Sequence, residues 1–129
     1  MKLNCDAAMG CDFSTIAIVA RDWRGTVVLA LTKKVNTTIP LEAEVEALAW
    51  AVFVIADLGV ERVTIESDSK SCVDCIHGVV SDAPWRINGI LSNMSTLFHL
   101  HPLWSTSWVS KVANQATYEL VGWSQKSRF

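Results

Sequence analysis

Three carboxylates, Asp6, Glu44 and Asp68, are the side chains of this sequence with the most chemistry to offer, and they lie far apart along it. Asp68 closes the stretch Arg62-Val63-Thr64-Ile65-Glu66-Ser67-Asp68-Ser69-Lys70. Its β-branched run gives way abruptly to polar residues, the pattern of a strand that ends in a carboxylate with Ser67 or Ser69 free to cap a following helix. A lone Asp at a strand end usually just caps or solvates it, so its weight depends on whether other carboxylates converge there. Cys72-Val73-Asp74-Cys75 has the spacing of a metal or redox pair, but no second such motif exists and Cys5 and Cys11 are wrongly spaced. Core or surface thiols are expected. His99 and His101 would need ligands from elsewhere to hold Zn²⁺, and a loop role is expected for both.

Whether the acids meet depends on the elements that carry them. Lys2 to Ala8 reads as a first strand, Phe13 to Ala20 as a second, and Thr26 to Lys33 as a third, joined to the second by the turn Asp22-Trp23-Arg24-Gly25. Leu41 to Leu58 is strongly helical, with Gly59 as its C-cap. On a wheel of about 100° per residue, Leu41, Val45, Leu48, Val52 and Ile55 form one stripe. Glu44 lies on the edge of that stripe, whereas Glu42 and Glu46 fall outside it. Trp50 and Phe53 project from the opposite side and call for a cover, another helix or a protein partner.

Glu61 to Glu66 is the central strand, Lys70 to Gly78 a short helix, and Pro84 to Leu100 a further helical segment. Leu103 to Ser110 is the last strand and Ala113 to about Ser127 the last helix. The order β-β-β-α-β-α-α-β-α predicts an α/β fold: a five-stranded mixed sheet of an antiparallel meander plus two crossover strands, flanked by helices. In such a sheet the first and fourth strands are able to be neighbours with the first helix beside them, which would let Asp6, Glu44 and Asp68 meet.

Composition narrows the rest. A chain of 129 residues that is 50% apolar has enough for one core and too little for two, so residues 1–129 are expected to be a single domain. A formal charge of −2 provides no general attraction for phosphates or anionic membranes. No apolar stretch is long enough to span a bilayer, and four cysteines are too few for a disulfide scaffold. An intracellular chain, nuclear or cytoplasmic, with reduced thiols and no membrane partner is the expectation.

Five segments in order carry a resemblance: Lys2-Leu3-Asn4-Cys5-Asp6-Ala7-Ala8, Val19-Ala20-Arg21-Asp22-Trp23-Arg24-Gly25, Glu42-Ala43-Glu44-Val45-Glu46-Ala47-Leu48, Glu66-Ser67-Asp68-Ser69 and Val109-Ser110-Lys111-Val112-Ala113-Asn114. Together they resemble the ribonuclease H family, and more narrowly its plant reverse-transcriptase-like branch, whose members often occur as domains of retrotransposon polyproteins. The immediate start at Lys2 fits a domain excised from such a longer chain.

The resemblance implies a ribonuclease H fold and Mg²⁺-dependent hydrolysis of the RNA strand of an RNA–DNA hybrid, with Mn²⁺ as a substitute. It makes Asp6, Glu44 and Asp68 the catalytic metal ligands, since paired Mg²⁺ ions need hard oxygen donors to offset their charge. In the family pattern a fourth acid follows Ala-Asn and three further residues; here Ala113-Asn114-Gln115-Ala116-Thr117-Tyr118-Glu119-Leu120 puts Tyr118 in its place. A phenol is a poor Mg²⁺ ligand at neutral pH. Trp108 stands where many relatives have a His, and Ala7 where active members have Gly after the first acid.

Weakened hydrolysis is therefore one expectation. The alternative is a degenerate ribonuclease H-like domain that serves as a nucleic-acid-binding or protein-assembly module of a parent polyprotein through the Trp50/Phe53 face. Lys33, Lys34, Lys70, Lys111 and Asn114 are the candidate nucleic-acid contacts.

Overall fold

The structure, a computed structural model, describes residues 1–77, 85–112 and 114. The expected last helix, with Tyr118, lies outside the described residues. Five strands form one sheet in the order β3-β2-β1-β4-β5: β1 (Lys2–Met9), β2 (Ser14–Arg21), β3 (Val27–Val35), β4 (Val63–Ser67) and β5 (Trp104–Trp108). β2 pairs antiparallel with β1 and β3, while β4 runs parallel to both β1 and β5. The meander and the two crossover strands stand as expected, with ends shifted by at most two residues.

Helix α1 (Pro40–Asp57) packs on β1 and β2, and α2 (Lys70–Ile76) and α3 (Trp85–Leu100) lie on the same side. Proline at its first position presets the helical φ of α1, and Gly59, at φ 70, takes the left-handed conformation just past its end. Val45, Leu48, Val52 and Ile55 are fully buried as the stripe predicts. Each contributes about 1.5–3 kcal/mol by leaving water.

The alanines Ala43, Ala47 and Ala51 are also fully buried. α1 thus hides two flanks, one against the sheet and one towards α3, and its small residues let it approach closely. Trp50 is accordingly part-buried at the edge of this core with the Lys33 ammonium 5.7 Å over its ring, while Phe53 remains 49% exposed.

Register divides the sheet into two faces. Leu3, Cys5, Ile16, Ile18, Ala20, Val63 and Ile65 face the helices and make the main core. Lys2, Asn4 and Asp6 alternate onto the other face, beside Arg21, Val19 and Ala17 of β2 and Thr64 and Glu66 of β4. Asn4, Asp6, Thr15, Ala17 and Val19 of that second face are buried too.

Candidate metal centre

Asp6 sits on β1, the strand held between β2 and β4. The parallel pairing of β1 with β4 ends at Cys5 and Ser67, so Asp68 leaves the sheet directly beside Asp6. The turn that carries Asp68 is tightly held. Ser67 Oγ accepts from the Ser69 amide at 3.1 Å, and Ser69 caps α2 by accepting from the Cys72 amide at 3.3 Å. β5 fixes the turn from the other side: the Val109 amide donates to Ser67 O at 2.9 Å and Trp108 Nε1 donates to Asp68 O at 3.1 Å.

Glu44 arrives from the second turn of α1, between the buried Ala43 and Val45. One carboxylate oxygen each of Asp6, Glu44 and Asp68 can be chosen so that all three lie within 4.8 Å of one another. Asp6 Oδ1 accepts from the Ala7 amide at 2.8 Å. Asp6 Oδ2, Glu44 Oε2 and Asp68 Oδ2 are buried and accept no hydrogen bond among the described residues. Buried polar atoms in native proteins are almost always paired, so three orphaned carboxyl oxygens in one place mark a site built for something they can ligate.

The electrostatics agree. Burial, and then the Asp68 charge, push the Asp6 carboxyl up to about 6; burial, Asp6 and Asp68 push Glu44 up to about 9. Lys111 opposes both shifts, which puts a cation at the rim of the acidic cluster. A hard divalent cation would relieve this repulsion. Asp6, Glu44 and Asp68 would hold it, since each offers a hard carboxylate oxygen within 4.8 Å of the other two.

The remaining sequence candidates are sorted by burial. Cys72 and Cys75 are both buried, and burial followed by the Glu44 charge raises the Cys72 thiol far above its usual range. Cys5 is raised likewise, by burial and then by Cys72. These are core thiols, as expected, neither nucleophiles nor thiolate ligands. His101 stacks on Trp104 at 3.8 Å and His99 is exposed, and among the described residues neither belongs to a group of potential metal ligands.

Lys70 is exposed at the start of α2, and Lys34 lies over the Phe13 ring at 4.7 Å. Asn114 departs from expectation. Rather than offering its amide to nucleic acid, it is 1% exposed, accepts from Asn4 Nδ2 at 2.9 Å and donates to Cys5 O at 3.0 Å. It pins the chain following β5 onto β1, one residue before Asp6. The sequence reading also missed the role of Trp108, seen there only as a replaced His. The one available signal was its place at the end of the strand that pairs with β4.

The sequence matches the family described as reverse transcriptase-like over residues 4–124. No curated protein matches it. Among solved structures it is similar to ribonuclease H1 of the halophilic archaeon Halobacterium salinarum, at 17% identity over 98% of this chain and 97% of that one, with a TM-score of 0.88. A ribonuclease H1 isolated from compost, solved in complex with an RNA/DNA hybrid, is 18% identical over 94% of this chain and 93% of that one, with a TM-score of 0.83. The protease-reverse transcriptase of prototype foamy virus matches 94% of this chain with 20% of its own length, at 13% identity and a TM-score of 0.74. These likenesses establish the ribonuclease H fold.

Proposed function

The chain belongs to the reverse transcriptase-like family, and on that premise we propose that it is a divalent-metal-dependent endonuclease that hydrolyses the RNA strand of RNA–DNA hybrids. The observation that carries this reading is the set of buried, unpartnered oxygens of Asp6, Glu44 and Asp68 on three different elements. Mg²⁺, with Mn²⁺ as a substitute, is the cofactor their hard oxygens suit; bound there it would polarise the scissile phosphate and lower the pKa of a water.

The chain's own residues do the positioning. The Ala7 amide orients the Asp6 carboxylate by holding Oδ1, leaving Oδ2 for the cation. Trp108 and Ser69 hold the Asp68 turn from opposite sides. Glu44, flanked by the buried Ala43 and Val45 of α1, adds the third oxygen with little freedom to swing away. Lys111 at the rim suits an incoming phosphate, and Lys70, Lys33 and Lys34 are the further contacts we assign to the hybrid.

A second reading rests on Trp108. Its indole is 52% exposed and donates its only N–H to Asp68 O, so it moves no proton where an imidazole would. With Tyr118 in place of the fourth acid, this favours a degenerate domain that binds nucleic acid or assembles with a parent polyprotein through Phe53. Cleavage of a labelled RNA–DNA hybrid with Mg²⁺ or Mn²⁺ separates the two. The enzyme reading expects wild-type cleavage that Asp68→Asn abolishes. A silent wild type whose Tyr118→Asp variant cleaves identifies a degenerate nuclease, and silence in every variant overturns the hydrolytic reading.

A further inference from the structure

A second concave site lies at the other end of the sheet from the carboxylates. A cavity of about 600 Å³ opens where β1 and β4 begin and β2 ends, with Lys2, Asn4, Arg21, Trp23, Arg62 and Glu66 in its lining. Lys2 and Asp6 are four positions apart on β1, roughly 13 Å at the rise of a strand. The buried contact of Asn4 with Asn114 lies between them. The cavity is therefore distinct from the metal centre.

Its polar groups are sorted by sign. The acids are already engaged: Asp22 Oδ1 accepts from the Arg24 and Thr26 amides at 2.9 and 3.0 Å, and Glu66 Oε1 accepts from Asn4 Nδ2 at 3.1 Å. Arg21 Nη1 donates to Oδ1 of Asn4, itself only 2% exposed, at 3.3 Å, so a buried side chain aims this guanidinium at the cavity. Among the described residues, Lys2 and Arg62 have no carboxylate within ion-pair distance. Three cations thus share the lining with two acids, Asp22 and Glu66, whose hydrogen bonds hold them in place but leave them charged, so the cations outnumber the acids.

Beside them stands Trp23, 84% exposed on the hairpin turn. The turn is closed by the Gly25 amide to Asp22 O and the Asp22 amide to Thr26 O, both at 3.0 Å, with Gly25 at φ 83. Such a turn holds the indole out on a fixed stalk. The Arg24 guanidinium lies 4.9 Å from the ring centroid, stiffening the indole and adding a fourth cation. An exposed aromatic ring on a cationic concavity is the combination that holds unpaired bases and their phosphates. An acidic peptide would use the cations and leave the indole idle, and a duplex keeps its bases stacked out of reach.

We propose that this cavity binds single-stranded nucleic acid, one base stacking on Trp23 and the strand's phosphates lying against Lys2, Arg21 and Arg62. The site does not depend on the hydrolytic reading. Binding of a fluorescein-labelled oligothymidine of about ten nucleotides, followed by anisotropy in an Asp68→Asn background, tests it without cleavage. Trp23→Ala is expected to weaken binding by about 5- to 100-fold and Trp23→Tyr to restore part of it. Arg62→Ala should lower the salt slope by about 0.7, the loss of one single-strand phosphate contact. Both positions are exposed, and unchanged circular dichroism would confirm intact folding. Ser92→Ala, exposed on α3, should bind like the parent. Absence of binding, parental affinity in both Trp23→Ala and Arg62→Ala, or equal competition by polyglutamate would overturn the proposal. Hybrid cleavage by the wild type is read separately, so either result can fail alone.

Discussion

Asp6 and Glu44 are carboxyls that the fold, without a cation, prefers to keep protonated. Their ordinary values of 3.8 and 4.5 apply to the unfolded chain, and the folded values are about 6 and about 9. Below the ordinary values both states are protonated and stability is complete. As pH rises the unfolded chain ionises first, so stability falls through the window from about 4 to about 9. Urea midpoints measured against pH in the presence of a chelator should follow that decline, and saturating Mn²⁺ should flatten it; a rise through the window would contradict the account. Glu44→Gln removes the group that loses most by ionising. It should raise the metal-free melting temperature at pH 8 by several degrees while abolishing metal binding, the usual opposition of stability and function at a strained site. Lys111→Ala takes away the cation that lowers both carboxyls. It should steepen the same pH dependence.

At the scale of elements, the site depends on how strand ends are tied. Ser69→Ala removes the cap of α2 and should cost about 1 kcal/mol in denaturant unfolding, with a larger proportional loss in metal affinity because Asp68 sits in the same turn. Asn4→Ala would leave Asn114, Glu66 and Arg21 without a shared partner and should cost about 1–3 kcal/mol by the same assay. Much of this architecture was legible in the sequence. Apolar, β-branched runs bounded by turn residues and the α1 stripe place the meander and the helix, and the wheel separates Glu44 from Glu42 and Glu46. What was not legible is what depends on pairing between distant segments. Asn114 becomes a buried pin only because β1 passes beneath it, and Trp108 reaches Asp68 O only because β5 aligns with β4. The burial of a second flank of α1 follows from α3, whose position no local pattern encodes.

For the molecule as a whole, a net charge of −2 means that any hold on nucleic acid is local. Hybrid binding should show a salt slope no steeper than about −4, the contribution of some four lysine–phosphate contacts. Among the described residues, no helix is long and apolar enough to cross a membrane. The ribonuclease H fold brings acids from β1, α1 and the β4–α2 turn to one point, and the account stands on their serving there as ligands. Calorimetric titration of Mn²⁺ into the wild type and Asp68→Asn, in two buffers of different ionisation enthalpy, tests this most directly. The account predicts saturable binding by the wild type with protons released, because Asp6 and Glu44 must ionise to ligate, and loss of binding in Asp68→Asn. Binding without proton release, binding that Asp68→Asn leaves unchanged, or no binding at all would contradict it.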